Sequence, residues 1–332
     1  MVSDLPPIGV FGHKRAAHLK SCLQAIERSE SLLGQQLPIY IFCDGARGPN
    51  EEQAVAETVV VAKECKRAHV IVRERNFGFR NITDGITELC NQHERAIVIE
   101  DDVLIAPDFL PYMCAALKKY QADPRVFMAT GFMFYGAHPQ APSTFFLRIP
   151  FVWGWATWKR AWDHFDWECV GWQDLIKDKR QCYLTDFFGA MPFSKGLRKT
   201  MEGQWNAWGP RWFYAMHKAG GVSLAPYRSM VWNSGCGGGT HGDVAFDANP
   251  ELNQREVYIH GDMEEKDFHK ARLPSDCIDR FPDQIQLDDR AHRHLALIFL
   301  QERLRKETRK RWQLRLKLLL QKILLPFTKR PS

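Results

Sequence analysis

Ala96-Ile97-Val98-Ile99-Glu100-Asp101-Asp102-Val103-Leu104-Ile105-Ala106-Pro107-Asp108-Phe109 is the stretch on which the fold turns. A short apolar run bounded by a polar turn predicts a buried strand, and the segment from Pro107 to Gln121 predicts a helix after it. Three successive acids at the end of a buried strand repel one another. A divalent cation is a natural way to hold them together. The plainer alternative is a solvated acidic turn or a helix-capping run. Mn2+ or Mg2+ is the cation that suits carboxylate and phosphate oxygens.

Working outward, the same pattern recurs. Ile8 to Phe11 predicts a strand that ends in Gly12-His13-Lys14-Arg15, with a helix over Ala16 to Leu33. Leu37 to Cys43 predicts a second strand ending at Asp44-Gly45, and Glu51 to Lys66 a helix. His69 to Val72 predicts a third strand, Asn76-Phe77-Gly78-Phe79 a turn, and Ile82 to His93 a helix. Val126 to Thr130 predicts a strand after the acids. Strands alternating with helices imply an α/β fold with a mainly parallel sheet covered on both faces. Ligands of such sheets bind beyond the carboxyl ends of the strands. The polar clusters His13-Lys14-Arg15, Asp44, Asn76 and Glu100-Asp101-Asp102 all fall there.

After Gly131 the pattern loosens. Ser143 to Trp158 is aromatic, Asp163 to Ala207 reads as helical pieces, and Val222 to Trp232 alternates apolar residues. Ser234 to Gly242 is Gly-rich, which suits a lid over a ligand or a long surface loop. The division expected is 1–135, 136–245 as a second half of the same domain, an irregular connection over 246–290, and a basic amphipathic helical extension over 291–332.

The chain has 332 residues and a net charge of +6, and Arg303 to Arg330 supplies the excess. The body without that tail is close to neutral, so the charge points to what the tail touches and not to nucleic acid. A helix lying in an anionic membrane interface fits the tail. So does a helix packed on the body or on a partner subunit with its basic face outward. The nine Cys are irregularly spaced, as reduced thiols of a cytoplasmic protein would be. No secretory signal or membrane-spanning run is read, so the expected place is the cytoplasm, with peripheral attachment to the inner face of the membrane through the tail. The chain has eleven Trp, and eight of them lie between Trp153 and Trp208. They serve equally as core or as stacking surfaces for sugar rings.

The donor-type motif Ile97 to Phe109 resembles that of A-type glycosyltransferases, especially the N-acetylglucosaminyltransferase I group and bacterial sugar transferases similar to it. Pro7-Ile8-Gly9-Val10-Phe11-Gly12-His13-Lys14-Arg15, Phe42-Cys43-Asp44-Gly45, Asn76-Phe77-Gly78-Phe79-Arg80-Asn81, Trp153-Gly154-Trp155-Ala156-Thr157-Trp158 and Asn233 to Gly242 resemble further segments of that family in order. The resemblance covers about residues 7–242. It implies the GT-A fold, with a nucleotide-sugar-binding first half and an acceptor-binding second half. The implied activity is a metal-dependent, inverting transfer of a hexosyl or N-acetylhexosaminyl group from a nucleotide-sugar donor. The acceptor would be a saccharide or a lipid-linked saccharide of surface polysaccharide or lipopolysaccharide synthesis.

The resemblance also implies roles. Asp102 would ligate Mn2+ or Mg2+, with His241 as a late metal or phosphate contact. Asp101 would touch the ribose or donor sugar, Glu100 the sugar hydroxyls, Asp44 the base or ribose, and Arg15 the diphosphate. Asn76 and Arg80 would help close the nucleotide pocket, and Trp153 and Trp155 would face the acceptor. An inverting transfer needs a carboxylate to deprotonate the acceptor hydroxyl. Asn206 aligns with the family's acid, and an amide cannot take a proton. Glu202 is the nearest candidate, with Asp163 and Asp166 as alternatives. A nucleotidyltransferase would also carry acids at strand ends, but it would be expected to have an early Gly-rich phosphate loop. A catalytically silent sugar-nucleotide or glycan-binding protein is kept open by Asn206.

Overall fold

The computed structural model of the chain describes residues 5–134, 144–234, 268, 278 and 281–306, with side chains to 301 in the last stretch. The first half is a succession of strands and helices: β1 (Ile8–Gly12), α1 (Ala16–Leu33), β2 (Ile39–Cys43), α2 (Glu52–Glu64), β3 (His69–Val72), α3 (Phe79–His93) and β4 (Arg95–Glu100). Then come β5 (Val103–Ile105), α4 (Phe109–Lys119), β6 (Val126–Thr130), β7 (Thr144–Leu147) and β8 (Trp155–Trp158). Short helices follow: α5 (Lys159–Trp162), α6 (Trp172–Lys177), α7 (Lys179–Thr185), α8 (Phe193–Met201) and α9 (Gly209–Lys218). Strands β9 (Val222–Pro226) and β10 (Val231–Asn233) and helix α10 (Asp289–Lys306) complete the described elements.

The main sheet has eight strands in the order β3-β2-β1-β4-β8-β6-β9-β7. Strands β3, β2, β1 and β4 are parallel neighbours, with Val10 opposite Ile41 and Ile99. Strand β8 runs antiparallel between β4 and β6, and β7 runs antiparallel to β9. The architecture is therefore α/β with a mainly parallel sheet flanked by helices, as the alternation of elements predicts.

Side-chain alternation explains the two layers. Ile8, Val10, Ile39, Ile41, Ile97 and Ile99 face a core shared with α1 and α4, whereas Phe11, Phe42, Ala96 and Val98 face a second core with α3 and α9. Phe11 and Phe42 stack at 5.0 Å. A Cβ on Gly85 of α3 would come within 2.6 Å of Phe11, so the glycine lets this helix settle onto the ring pair. Helix α1 stops at Gly34, whose φ of 75° is left-handed and whose N–H caps the Glu30 carbonyl.

Two features differ from the sequence reading. Residues Val103–Ile105 are a strand in their own right, paired antiparallel with β10 in a separate two-stranded ribbon. Strands this short carry too few residues for a period to show. Helix α10 begins at Asp289, and its Ala291, Leu295, Phe299 and Leu300 join the core that contains β1 and α1. The tail beyond residue 306, and with it the expected membrane contact, lies outside the described residues.

Candidate active site

The carboxyl ends of β3, β2, β1 and β4 are neighbours, and the charged clusters read from the sequence meet there. Phe11 pairs with Glu100 in the sheet, and the Asp101 N–H donates to the Phe11 carbonyl at 2.9 Å. The acid triplet therefore starts as β4 ends and turns across the end of β1. Arg15 lies at the entry of α1, where a guanidinium has no acceptor with which to cap the helix, and its donors are turned to the acids. Arg15 Nη1 donates to Asp102 Oδ2 at 2.7 Å, and Nη2 is 3.4 Å from Asp101 Oδ1. The His13 N–H adds a long bond of 3.4 Å to Asp101 Oδ2.

Burial and then the neighbouring charges of Asp102 and Asp101 push the Glu100 carboxyl up, against the pull of Arg15. Asp101 is pushed up to about 7, first by burial and also by Asp102, although Arg15 opposes the rise. Burial works against the Arg15 charge, but Asp101 and Asp102 more than offset it and hold its pKa above the ordinary value. Once all are ionised, three carboxylates face one guanidinium and leave an anionic surplus, which adds to burial in holding the protons of Glu100 and Asp101 so high.

Among the described residues, no group of three or more His, Cys, Asp or Glu side chains is arranged to hold a metal ion. The oxygen donors of Asp101 and Asp102 and their anionic surplus fit the Mg2+ class, which is commonly bound through one or two carboxylates plus substrate phosphates. They do not fit a metal that needs a closed protein cage. His241 lies outside the described residues. Ser234, which enters the Gly-rich stretch, is anchored on the acids: its N–H and Oγ both bond the Asp102 carbonyl, at 2.8 and 3.0 Å.

Asp44 is placed differently from its expected role. Its Oδ1 accepts from the Gly45 and Phe77 N–H groups at 3.0 and 2.7 Å. Its Oδ2 accepts from Asn76 Nδ2 and the Gly78 N–H at 3.0 and 2.8 Å. A carboxylate has about four lone-pair sites, so no acceptor is left for a base or ribose. Asp44 instead fixes the turn that follows β3. Asn76 Nδ2 also bonds the Gly45 carbonyl at 2.8 Å and lies 3.3 Å from His13 Nε2. The His13 ring is 3.3 Å from Glu51, which also pairs with Lys14 at 2.6 Å. Burial lowers the His13 pKa and favours the neutral ring, despite Glu51 and Asp44. Glu51 is a neighbour of the site that sequence reasoning did not single out, and His13 was placed there only as part of the basic turn after Gly12.

Trp155 is corrected from an acceptor contact to a core residue. It is 0% exposed, stacked on Trp208 at 5.9 Å and packed against Trp162 and Trp212, so neither face is open to a saccharide. Trp153 is only partly buried, edge-on to Phe132 at 4.8 Å. Arg80 is turned onto the Trp167 ring, 4.0 Å from its centroid. Glu202 is exposed at the end of α8 and accepts from Gln204 Nε2 at 2.9 Å; Asn206 is exposed in the loop that follows. Of the alternative bases, Asp163 is engaged by Lys159 at 2.6 Å, and Asp166 accepts from the Glu168 and Val170 N–H groups. A shallow depression lined by Asp174, Tyr214, His217 and Lys218 sits on α6 and α9, away from the acid triplet.

No family model matches the chain. No curated protein matches it. Among solved structures it is similar to galactosyltransferase LgtC in complex with donor and acceptor sugar analogues, at 10% identity and a TM-score of 0.32, over 48% of this chain and 60% of that one. An active-site mutant of LgtC aligns at 10% identity and a TM-score of 0.33, over 67% of this chain and 86% of that one. The bifunctional glycosyltransferase WbbM, in its apo structure, aligns at 10% identity and a TM-score of 0.32, over 66% of this chain and 38% of that one. Likeness at these levels sets no family for the chain.

Proposed function

We propose that the chain is a glycosyltransferase that moves a sugar from a nucleotide-diphosphate donor to a saccharide or lipid-linked saccharide, with Mn2+ or Mg2+ as its cofactor. One observation carries the reading: Glu100-Asp101-Asp102 end a buried parallel strand with Arg15 bridging the two aspartates, where the end of β1 meets them.

In this reading Asp102, with Asp101 beside it, would hold the cation, which would supply charge neutralisation at the leaving nucleoside diphosphate. Arg15 turns from the acids to the same phosphates, and Glu100 receives sugar hydroxyls. Asp44 keeps the turn at Asn76 rigid, so the nucleotide meets a preformed wall. The acceptor oxygen forms its bond to the anomeric carbon as the bond from that carbon to the diphosphate oxygen breaks, which inverts the centre. Glu202 takes the acceptor proton: Gln204 holds its Oε2 alone, whereas both carboxylate oxygens of Asp163 and of Asp166 are engaged. Among the described residues no helix is long and apolar enough to cross a membrane. Contact with a lipid-linked acceptor falls to the basic tail.

A second reading, a sugar-nucleotide-binding protein without turnover, is favoured by Asn206 alone. A thermal-shift screen of nucleotide sugars with and without Mn2+ tests the first step, because a ligand of the native state raises the melting temperature. Products of mixed donor and acceptor then separate the two readings. A chain that no nucleotide sugar stabilises, with or without the ion, is neither.

A further inference from the structure

Outside the acid triplet, two guanidiniums share one indole. Arg80, in the first turn of α3, lies 4.0 Å from the centre of the Trp167 ring, and Arg211 of α9 lies 4.4 Å from it. Their surroundings differ. Arg211 is 9% exposed and spends its donors on carbonyls, from Nε to Trp167 at 2.8 Å and from Nη1 to Ala207. Arg80 is exposed. Asp84, one helical turn further on and at the spacing that normally pairs with a cation, forms no ion pair with Arg80 among the described residues.

Two like charges over one ring repel. Carbonyl oxygens satisfy the Arg211 hydrogens without cancelling its charge, and burial outweighs the neighbours that favour that charge, Cys169 and then the solvent-exposed Glu168. Arg80 repels it further. Cation–π attraction offsets part of this cost. An anion seated on the Arg80 fork would offset the rest.

The position says what the anion belongs to. Arg80 is two residues from Gly78, whose N–H is tied to Asp44 at the donor end of the sheet. Arg211 ties Trp167 to Ala207, in the loop that carries Asn206 and follows Glu202. The stack therefore links the donor-side turn to the loop on the acceptor side. We propose that Arg80, stacked on Trp167 and backed by Arg211, is a subsite for a negatively charged substituent, carboxylate or phosphate, on the acceptor saccharide. The inference deepens the transferase reading and rests on it for the place of the acceptor.

The test uses the full chain and calorimetric titration with three probes: a disaccharide ending in glucuronate, its counterpart ending in glucose, and glucose 6-phosphate. At least one charged probe is expected to bind tenfold or more tightly than the neutral one, and to weaken as NaCl rises. Which one wins tells carboxylate from phosphate. Arg80→Gln is expected to erase the preference, and Arg80→Lys to restore part of it, since the charge returns without the planar fork. Equal affinity for charged and neutral probes, no binding of either charged probe, or an undiminished preference in Arg80→Gln overturns the proposal. It also falls if Arg80→Gln weakens a nucleoside diphosphate instead. The transferase reading is checked on the same samples by Mn2+-dependent nucleotide binding. Failure of that alone, with the anion preference intact, removes the transferase and leaves the subsite.

Discussion

Arg15 Nη1 donates to Asp102 Oδ2 at 2.7 Å, so a side-chain cation occupies the oxygen to which a divalent ion would be assigned. Ion and guanidinium compete for that oxygen until phosphates give Arg15 another partner. Arg15→Gln is therefore expected to bind Mn2+ about tenfold more tightly in the absence of nucleotide, a change of about 1.4 kcal/mol. The same variant should lose affinity for a nucleoside diphosphate. Electron paramagnetic resonance titration of free Mn2+ reads the first effect; unaltered Mn2+ affinity would remove the competition.

Asp102→Ala is expected to abolish the Mn2+-dependent part of nucleotide binding and leave the fold intact. Its carboxylate is part-exposed and its structural contact to Ser234 is made by the backbone carbonyl. Calorimetry with and without Mn2+ checks this, and undiminished affinity would count against the whole site.

Asp44→Ala acts on stability first. It strips four donors of an acceptor in a half-buried turn. Unsatisfied buried donors cost about 1–3 kcal/mol each before water enters, so a net loss of about 3 kcal/mol is expected by urea unfolding. A variant with wild-type stability and a selective defect for one base would return Asp44 to direct nucleotide contact.

The Asp101 carboxyl is raised from 3.8 to about 7, chiefly by burial. The native state then holds this proton more tightly than the unfolded chain does. The contribution is complete below pH 3.8 and is lost as pH rises through about 7. Metal-free protein should lose stability over that window relative to Asp101→Asn, and Mn2+ should recover more of it at pH 8 than at pH 5. Parallel melting curves for the two proteins across the range would contradict the assignment.

Trp155→Ala is expected to cost about 3–5 kcal/mol, as for other large buried aromatics, because the ring is wholly enclosed. If the variant kept its unfolding midpoint yet lost saccharide binding, the indole would be a sugar contact after all.

The parallel half of the sheet was legible because Ile8 to Phe11, Ile39 to Cys43 and Ala96 to Ile99 are apolar runs that stop at charges. For the same reason the polar clusters could be placed along one edge of the sheet, although Arg15 was expected on a diphosphate and pairs here with Asp101 and Asp102. The turn-fixing contacts of Asp44 were not legible because its partners Phe77 and Gly78 lie more than thirty residues away, and an Asp-Gly pair signals a turn without saying what the carboxylate accepts. Trp155 was ambiguous for another reason: in Trp153 to Trp158 large side chains point both ways from the strand, and alternation no longer separates core from surface. Arg211 gave no signal at all, since its role depends on carbonyls at Trp167 and Ala207.

The four indoles of Trp155, Trp162, Trp208 and Trp212 have centroids 5.1 to 6.4 Å apart in five of their pairings. Chromophores that close and that rigid couple their electronic transitions. The interior behind α3 and α9 should therefore give an intense near-ultraviolet dichroic band that fades when tight packing loosens, even while far-ultraviolet ellipticity persists. The molecule thus carries an optical gauge of its own, one that needs no label and no substrate.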